Sequence, residues 1–100
     1  MPSRLYTIWL SGTTYIAVDF KSFQGQILAF VVRLVHIRVV GDIDVARYDT
    51  AHGRPHRDLL TQSGRLRQKD WLEDMSFNDA LTHAIDDFKE NHEAYTEERT

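Results

Sequence analysis

Gln26-Ile27-Leu28-Ala29-Phe30-Val31-Val32-Arg33-Leu34-Val35-His36-Ile37-Arg38-Val39-Val40-Gly41-Asp42-Ile43-Asp44-Val45-Ala46-Arg47-Tyr48-Asp49 is the stretch that decides the fold. Gln26 to Val40 is long, apolar and rich in β-branched side chains. Such side chains lose χ1 freedom in a helix and pack well on a pleated surface. Both faces are apolar at its start, which predicts a central strand covered on both sides. Gly41-Asp42 is a tight hairpin signal. Ile43 to Asp49 then returns antiparallel to the long strand.

Outward from this pair the pattern repeats. Arg4 to Leu10 is rich in aromatic and β-branched residues, and Ser11-Gly12 marks a turn. Thr13 to Phe20 alternates with period two, placing Thr14, Ile16, Val18 and Phe20 on one face. Lys21 to Gln26 reads as a polar loop around Gly25. On the other side, His56 to Leu60 is a short strand, Thr61-Gln62-Ser63-Gly64 a turn, and Leu66 to Leu72 either a further strand or a loop packing Trp71 and Leu72. Ser76 opens a helix, with Asp79 three residues on as a capping-box variant favoured by the helix dipole. Phe77, Ala80, Leu81, Ala84, Ile85, Phe88 and Tyr95 form one apolar stripe at helical spacing. The fold class is therefore α+β: one domain over residues 1–100, an antiparallel meander of about 4–6 strands packed against one long C-terminal α-helix.

Chemistry concentrates in Arg47-Tyr48-Asp49-Thr50-Ala51-His52-Gly53-Arg54-Pro55-His56-Arg57-Asp58. Gly53 can take positive φ and Pro55 drives Arg54 extended, so the middle is a shaped loop between two strands. His52 and His56 flank it and are the candidate acid/base pair. Arg54, Arg57 and Arg47 carry forked donors suited to phosphate oxygens. Tyr48 and Asp49 are candidates to orient a histidine. Two histidines with arginines suit metal-independent RNA cleavage: one removes the 2′-hydroxyl proton, the other protonates the leaving oxygen, and arginine stabilises the phosphate. Other readings use the same residues. Asp49 could cap the turn with Arg57 and Asp58 paired on the surface. His52, His56 and Asp49 could ligate a metal, but a Gly and a Pro between the histidines deny them a shared helix face. No metal and no cofactor is expected.

The segment resembles a signature of small bacterial and archaeal proteins allied to the TumE-type toxins of toxin–antitoxin operons. The likeness covers Arg47 to Asp58, with a looser echo in Phe30-Val31-Val32-Arg33-Leu34 and in the C-terminal helix; the denser His run that follows the turn in those proteins is absent. The resemblance implies a toxin-like, RNA-targeting role and a cognate antitoxin protein as partner. The alternative is a non-catalytic interaction module, a homodimer or a subunit of a two-protein complex, using an exposed edge strand and the acidic helix.

Composition narrows the classes further. There is no Cys, hence no disulfide framework or thiolate site. No signal-peptide pattern is present, and the longest apolar run is broken by Arg33, His36 and Arg38, so no membrane span and a cytoplasmic location are expected. The net charge of −3 hides a basic centre over residues 47–69 and an acidic segment after it. That asymmetry suggests either an anion-binding face or internal complementarity. A core this small gains from self-association, so a homo-oligomer is expected.

Overall fold

The computed structural model describes residues 3–97. Six strands form one antiparallel sheet in sequence order: β1 (Ser3–Trp9), β2 (Thr14–Phe23), β3 (Gln26–Arg38), β4 (Gly41–Asp49), β5 (His56–Leu60) and β6 (Leu66–Trp71). A single helix, α1 (Phe77–Glu97), follows. The α+β meander predicted from the hairpin signals is the fold observed, and the ambiguous segment after Gly64 is a sixth strand. No helix among the described residues is long and apolar enough to cross a membrane.

Register sets the two faces. Ile16 pairs with Leu34, Val18 with Val32 and Phe20 with Phe30, while Val32 pairs with Tyr48 and Leu34 with Ala46. Because side chains alternate, this set points one way. There it meets the buried stripe of α1: Ala80, Leu81, Ala84 and Phe88. Ala80 and Ala84 are fully buried; with methyl groups alone at the contact, the helix backbone can lie close to β3. Phe88 fills the space beside Tyr48, ring centroids 5.2 Å apart. Burial of each large apolar side chain here stabilises the fold by about 1.5–3 kcal/mol.

Both ends of α1 are fixed by named contacts. The Asp79 amide donates to Ser76 Oγ at 3.1 Å, the cap expected from the sequence. Asn78 clamps the first turn onto the β2–β3 hairpin: its Oδ1 accepts from the Ile27 amide and its Nδ2 donates to the Gly25 carbonyl, both at 2.9 Å. Towards the C-terminal half, Tyr48 donates to Asp87 Oδ2 at 2.7 Å and Tyr95 donates to the same oxygen. Arg57 reaches Tyr95 Oη at 2.9 Å and also pairs with Asp70.

Two boundaries and the cover of one sheet face differ from the sequence reading. β2 continues through Phe23, where a loop was expected, because the reversal needs only Gln24 and Gly25, both at positive φ. The β3–β4 reversal falls on Val39-Val40, with Gly41 and Asp42 already inside β4. An apolar pair at a solvent-exposed tip carries no turn signature, so the nearby Gly-Asp attracted the assignment. Finally, α1 covers only one face of β3. On the other face Ala29 and Val31 are only partly buried, which corrects the expectation of cover on both sides.

Candidate functional site

Arg47 and Asp49 are two apart on β4, as His56 and Asp58 are on β5, so each pair shares a face. The β4–β5 register sets Arg47 opposite Asp58 and Asp49 opposite His56. The four side chains thus form a square on the face away from α1. Arg47 Nε lies 3.0 Å from Asp49 Oδ2, and Arg47 Nη2 lies 3.0 Å from Asp58 Oδ2. His56 Nε2 lies 3.0 Å from Asp49 Oδ1 and 3.6 Å from Asp58 Oδ2. From β6, Lys69 Nζ adds a contact to Asp58 Oδ1 at 3.0 Å. Burial alone would raise the Asp58 carboxyl, but hydrogen bonds from Lys69 and Arg47 outweigh it and hold the group below its ordinary value.

His56 is 1% exposed. Its Nδ1 lies 3.2 Å from the Arg54 carbonyl oxygen and its Nε2 faces the Asp49 carboxylate. Both neighbours are acceptors, so each ring nitrogen faces an oxygen. Trp71 closes it from outside, its ring 5.1 Å from the imidazole and itself covered by the Arg54 guanidinium at 4.6 Å.

The loop between the strands is a short 3-10 turn, Ala51–Gly53. Asp49 Oδ1 accepts from the Ala51 amide at 2.9 Å, so the carboxylate that holds His56 also caps the turn. Gly53 has φ +79° and Arg54 is extended, as Gly53 and Pro55 predict. His52 has φ +67° and is exposed.

These placements change the roles expected of several residues. His52 and His56 do not converge on one open pocket, because one ring faces solvent and the other is sealed in the Asp49–Asp58 square. The three arginines do not form one phosphate cradle. Arg47 is held by two aspartates, Arg54 by Glu73 over Trp71, and Arg57 projects to the helix face, where it meets Asp70 and Tyr95. The period of two puts Arg57 opposite in sense to His56 and Asp58. It does the same to Tyr48, which supports the helix through Asp87 and His83 and does not reach His52 or His56. Asp49 contacts His56, whereas the histidine that Tyr48 meets is His83 of α1, its Oη 3.5 Å from His83 Nε2. Internal complementarity, the second reading of the charge asymmetry, is what Arg54–Glu73 and Arg57–Asp70 realise.

Asp49, His56 and Asp58 each offer one ligand atom within 4.8 Å of the others, a spacing a metal ion could use. The donor set does not favour one: the carboxylates are already engaged by Arg47 and Lys69, and a cation would have to displace them. The metal grouping weighed from sequence, which included His52, is not the grouping that converges. Asp58, Lys69 and Trp71 carry weight the sequence reading did not assign. The i, i+2 spacing of Arg47/Asp49 and His56/Asp58 across one turn was the signal available for the square.

Arg47 and Asp49 also wall a trench of about 470 Å³ on the open face. Its floor includes Ala29 and Val31, and Lys21 and Arg33 stand at its margins. Residues 50 and 51 close one end, so exposed His52 follows directly in sequence.

A family model described as a domain of unknown function (DUF7718) matches residues 1–99, and the chain belongs to that family. No curated protein matches the chain, and no solved structure does.

Proposed function

We propose that this member of the DUF7718 family is a protein-interaction module that self-associates through β1. The observation that carries the reading is the outer edge of the sheet. β1 is the terminal strand, and no described strand pairs its outer side. Yet it is long and apolar: Leu5 is 76% exposed and Trp9 59% exposed, with Tyr6 and Ile8 between them. Edge strands that stay single are usually short, charged or bulged. Arg4 is the one charge on this strand.

The occupant is a second copy. Antiparallel pairing about Tyr6 sets Tyr6 against Tyr6, Leu5 against Thr7, Arg4 against Ile8 and Ser3 against Trp9 of the other chain. No like charges oppose, and aromatic and β-branched neighbours meet, each such pair contributing about 0.2–1 kcal/mol. A two-fold interface needs this kind of self-complementarity. Light scattering tests the reading: the protein should run at twice its 11.7 kDa chain mass, and Leu5→Lys with Trp9→Lys should return it to one chain. A wild type that is monomeric at all concentrations, or a dimer indifferent to the double substitution, overturns it. A complex formed only with a protein of different sequence has the same force.

A second reading keeps the RNA-targeting, toxin-like role suggested by the Arg47 to Asp58 resemblance, moved to the trench. What favours it is the grouping of Lys21, Arg33 and Arg47 in the trench, with Asp49 on the same wall and exposed His52 one residue beyond Ala51, which lines it. Incubation with RNA, with and without chelator, should then give chelator-resistant cleavage that His52→Ala abolishes. Unchanged cleavage in that variant, or none in the wild type, removes it.

A further inference from the structure

Arg33 and Arg47 face each other across β3 and β4 in direct register. Like charges so placed destabilise a sheet unless something lies against them. Each has partial compensation: Arg33 Nη1 pairs with Asp44 at 2.9 Å, and Arg47 uses Nε and Nη2 on its two aspartates. Neither guanidinium is saturated, since each carries five N–H donors. Both residues line the same trench. Lys21, at its other margin, makes no hydrogen bond or ion pair with a described residue.

The floor has a different character. Ala29 is the smallest side chain on this part of β3, and with Val31 it leaves an apolar depression rimmed by Lys21, Arg33 and Arg47 and by the carboxylates of Asp19 and Asp49. Apolar floors with a few convergent polar groups, in volumes of about 300–1,000 Å³, are the usual form of small-ligand sites. Guanidinium edges select carboxylate or phosphate by forked geometry.

We infer that the trench binds a small molecule with a flat apolar ring and one anionic group, the ring over Ala29 and Val31 and the anion on the spare N–H groups of Arg33 and Arg47. A carboxylate and a phosphate monoester share this recognition chemistry. This site lies on β2 to β4, away from the outer edge of β1, and does not depend on self-association.

Backbone amide NMR titration of the intact chain tests it, with four probes: an aromatic monocarboxylate, adenosine 5′-monophosphate, adenosine, and inorganic phosphate. One or both ring-plus-anion probes should shift the amides of Ala29, Val31, Arg33 and Thr50, and which of them binds names the anion. Adenosine and phosphate alone should bind at least about tenfold more weakly, about 1.4 kcal/mol. Arg33→Gln should weaken the bound probe about tenfold, and Ala29→Leu should abolish binding by filling the floor. Both positions lie outside the buried square, and dispersed spectra would verify that the variants fold. Absence of shifts with every probe overturns the inference. So does binding by phosphate alone, a map of shifts elsewhere, or affinity unchanged in both variants. The Trp9→Lys protein, changed at the end of β1 remote from Asp19, should bind as the wild type does, which separates this result from that on the edge.

Discussion

Replacing Asp58 by alanine probes the square at its most loaded corner. The side chain is 4% exposed, accepts from Arg47 and is ion-paired with Lys69, each at 3.0 Å, with His56 3.6 Å away. Alanine leaves Arg47 with Asp49 as its remaining anion and frees Lys69 to swing into water. Removing one member of a fully buried ion pair costs about 3–5 kcal/mol. Here the cationic side chains are 35% and 30% exposed, so water recovers part of that, and about 2–4 kcal/mol is the expected loss. For a domain of this size each kcal/mol moves Tm by about 4–8 °C, giving a drop of roughly 8–32 °C. Lys69→Met alone should cost about 1 kcal/mol or less, and the double variant should lose less than the sum. The pH dependence has a definite sign. Asp58 is held below its unfolded value, so its contribution is complete above the unfolded carboxylate range and disappears as pH falls through the folded value. Asp58→Asn should therefore flatten the acid limb of stability measured by urea unfolding. A loss under about 1 kcal/mol for alanine, with strict additivity to Lys69→Met, would refute the reading of the square as a coupled unit.

Two further outcomes follow from other parts of the fold. Burial first, then the hydrogen bond to Asp87, pushes the Tyr95 phenol up to about 12; its contribution is complete below the unfolded value near 10 and lost as pH rises towards 12, so Tyr95→Phe should remove that alkaline limb and lower stability by about 1–3 kcal/mol at neutral pH. His52 is exposed at φ +67°, so His52→Gly should leave Tm unchanged or raised while His52→Val should cost about 1–2 kcal/mol; equal stability of the two variants would show that the turn relaxes freely.

Much of the fold was legible because each signal has a local cause. Period-two alternation marked β2, β-branched density marked β3, and Ser76 with Asp79 marked the start of α1. Val39-Val40 misled because the turn there is set by the pairing of β3 with β4 and not by its own residues. The site was legible as a location and less so as an arrangement. Reading Arg47 to Asp58 as one cluster overlooked that successive strand residues face opposite ways. That parity sends Tyr48 and Arg57 to α1 and keeps Arg47, Asp49, His56 and Asp58 together. Lys69 and Trp71 complete the square from a strand whose register no local pattern fixes.

The order of elements along the chain has a consequence for biogenesis. Every strand pairs with its neighbour in sequence, so hairpins can zip up one after another as the polypeptide leaves the ribosome. The greasy side of β2 to β4 is complete by residue 49, but its cover, α1, starts at residue 77. At roughly 5–20 residues per second, a nascent sheet stands bare for seconds before Asn78 can latch onto the Gly25 hairpin. A chaperone that shields nascent apolar surface has its opening in that interval, and stalling between β4 and α1 is where the chain is most prone to stick to its own kind.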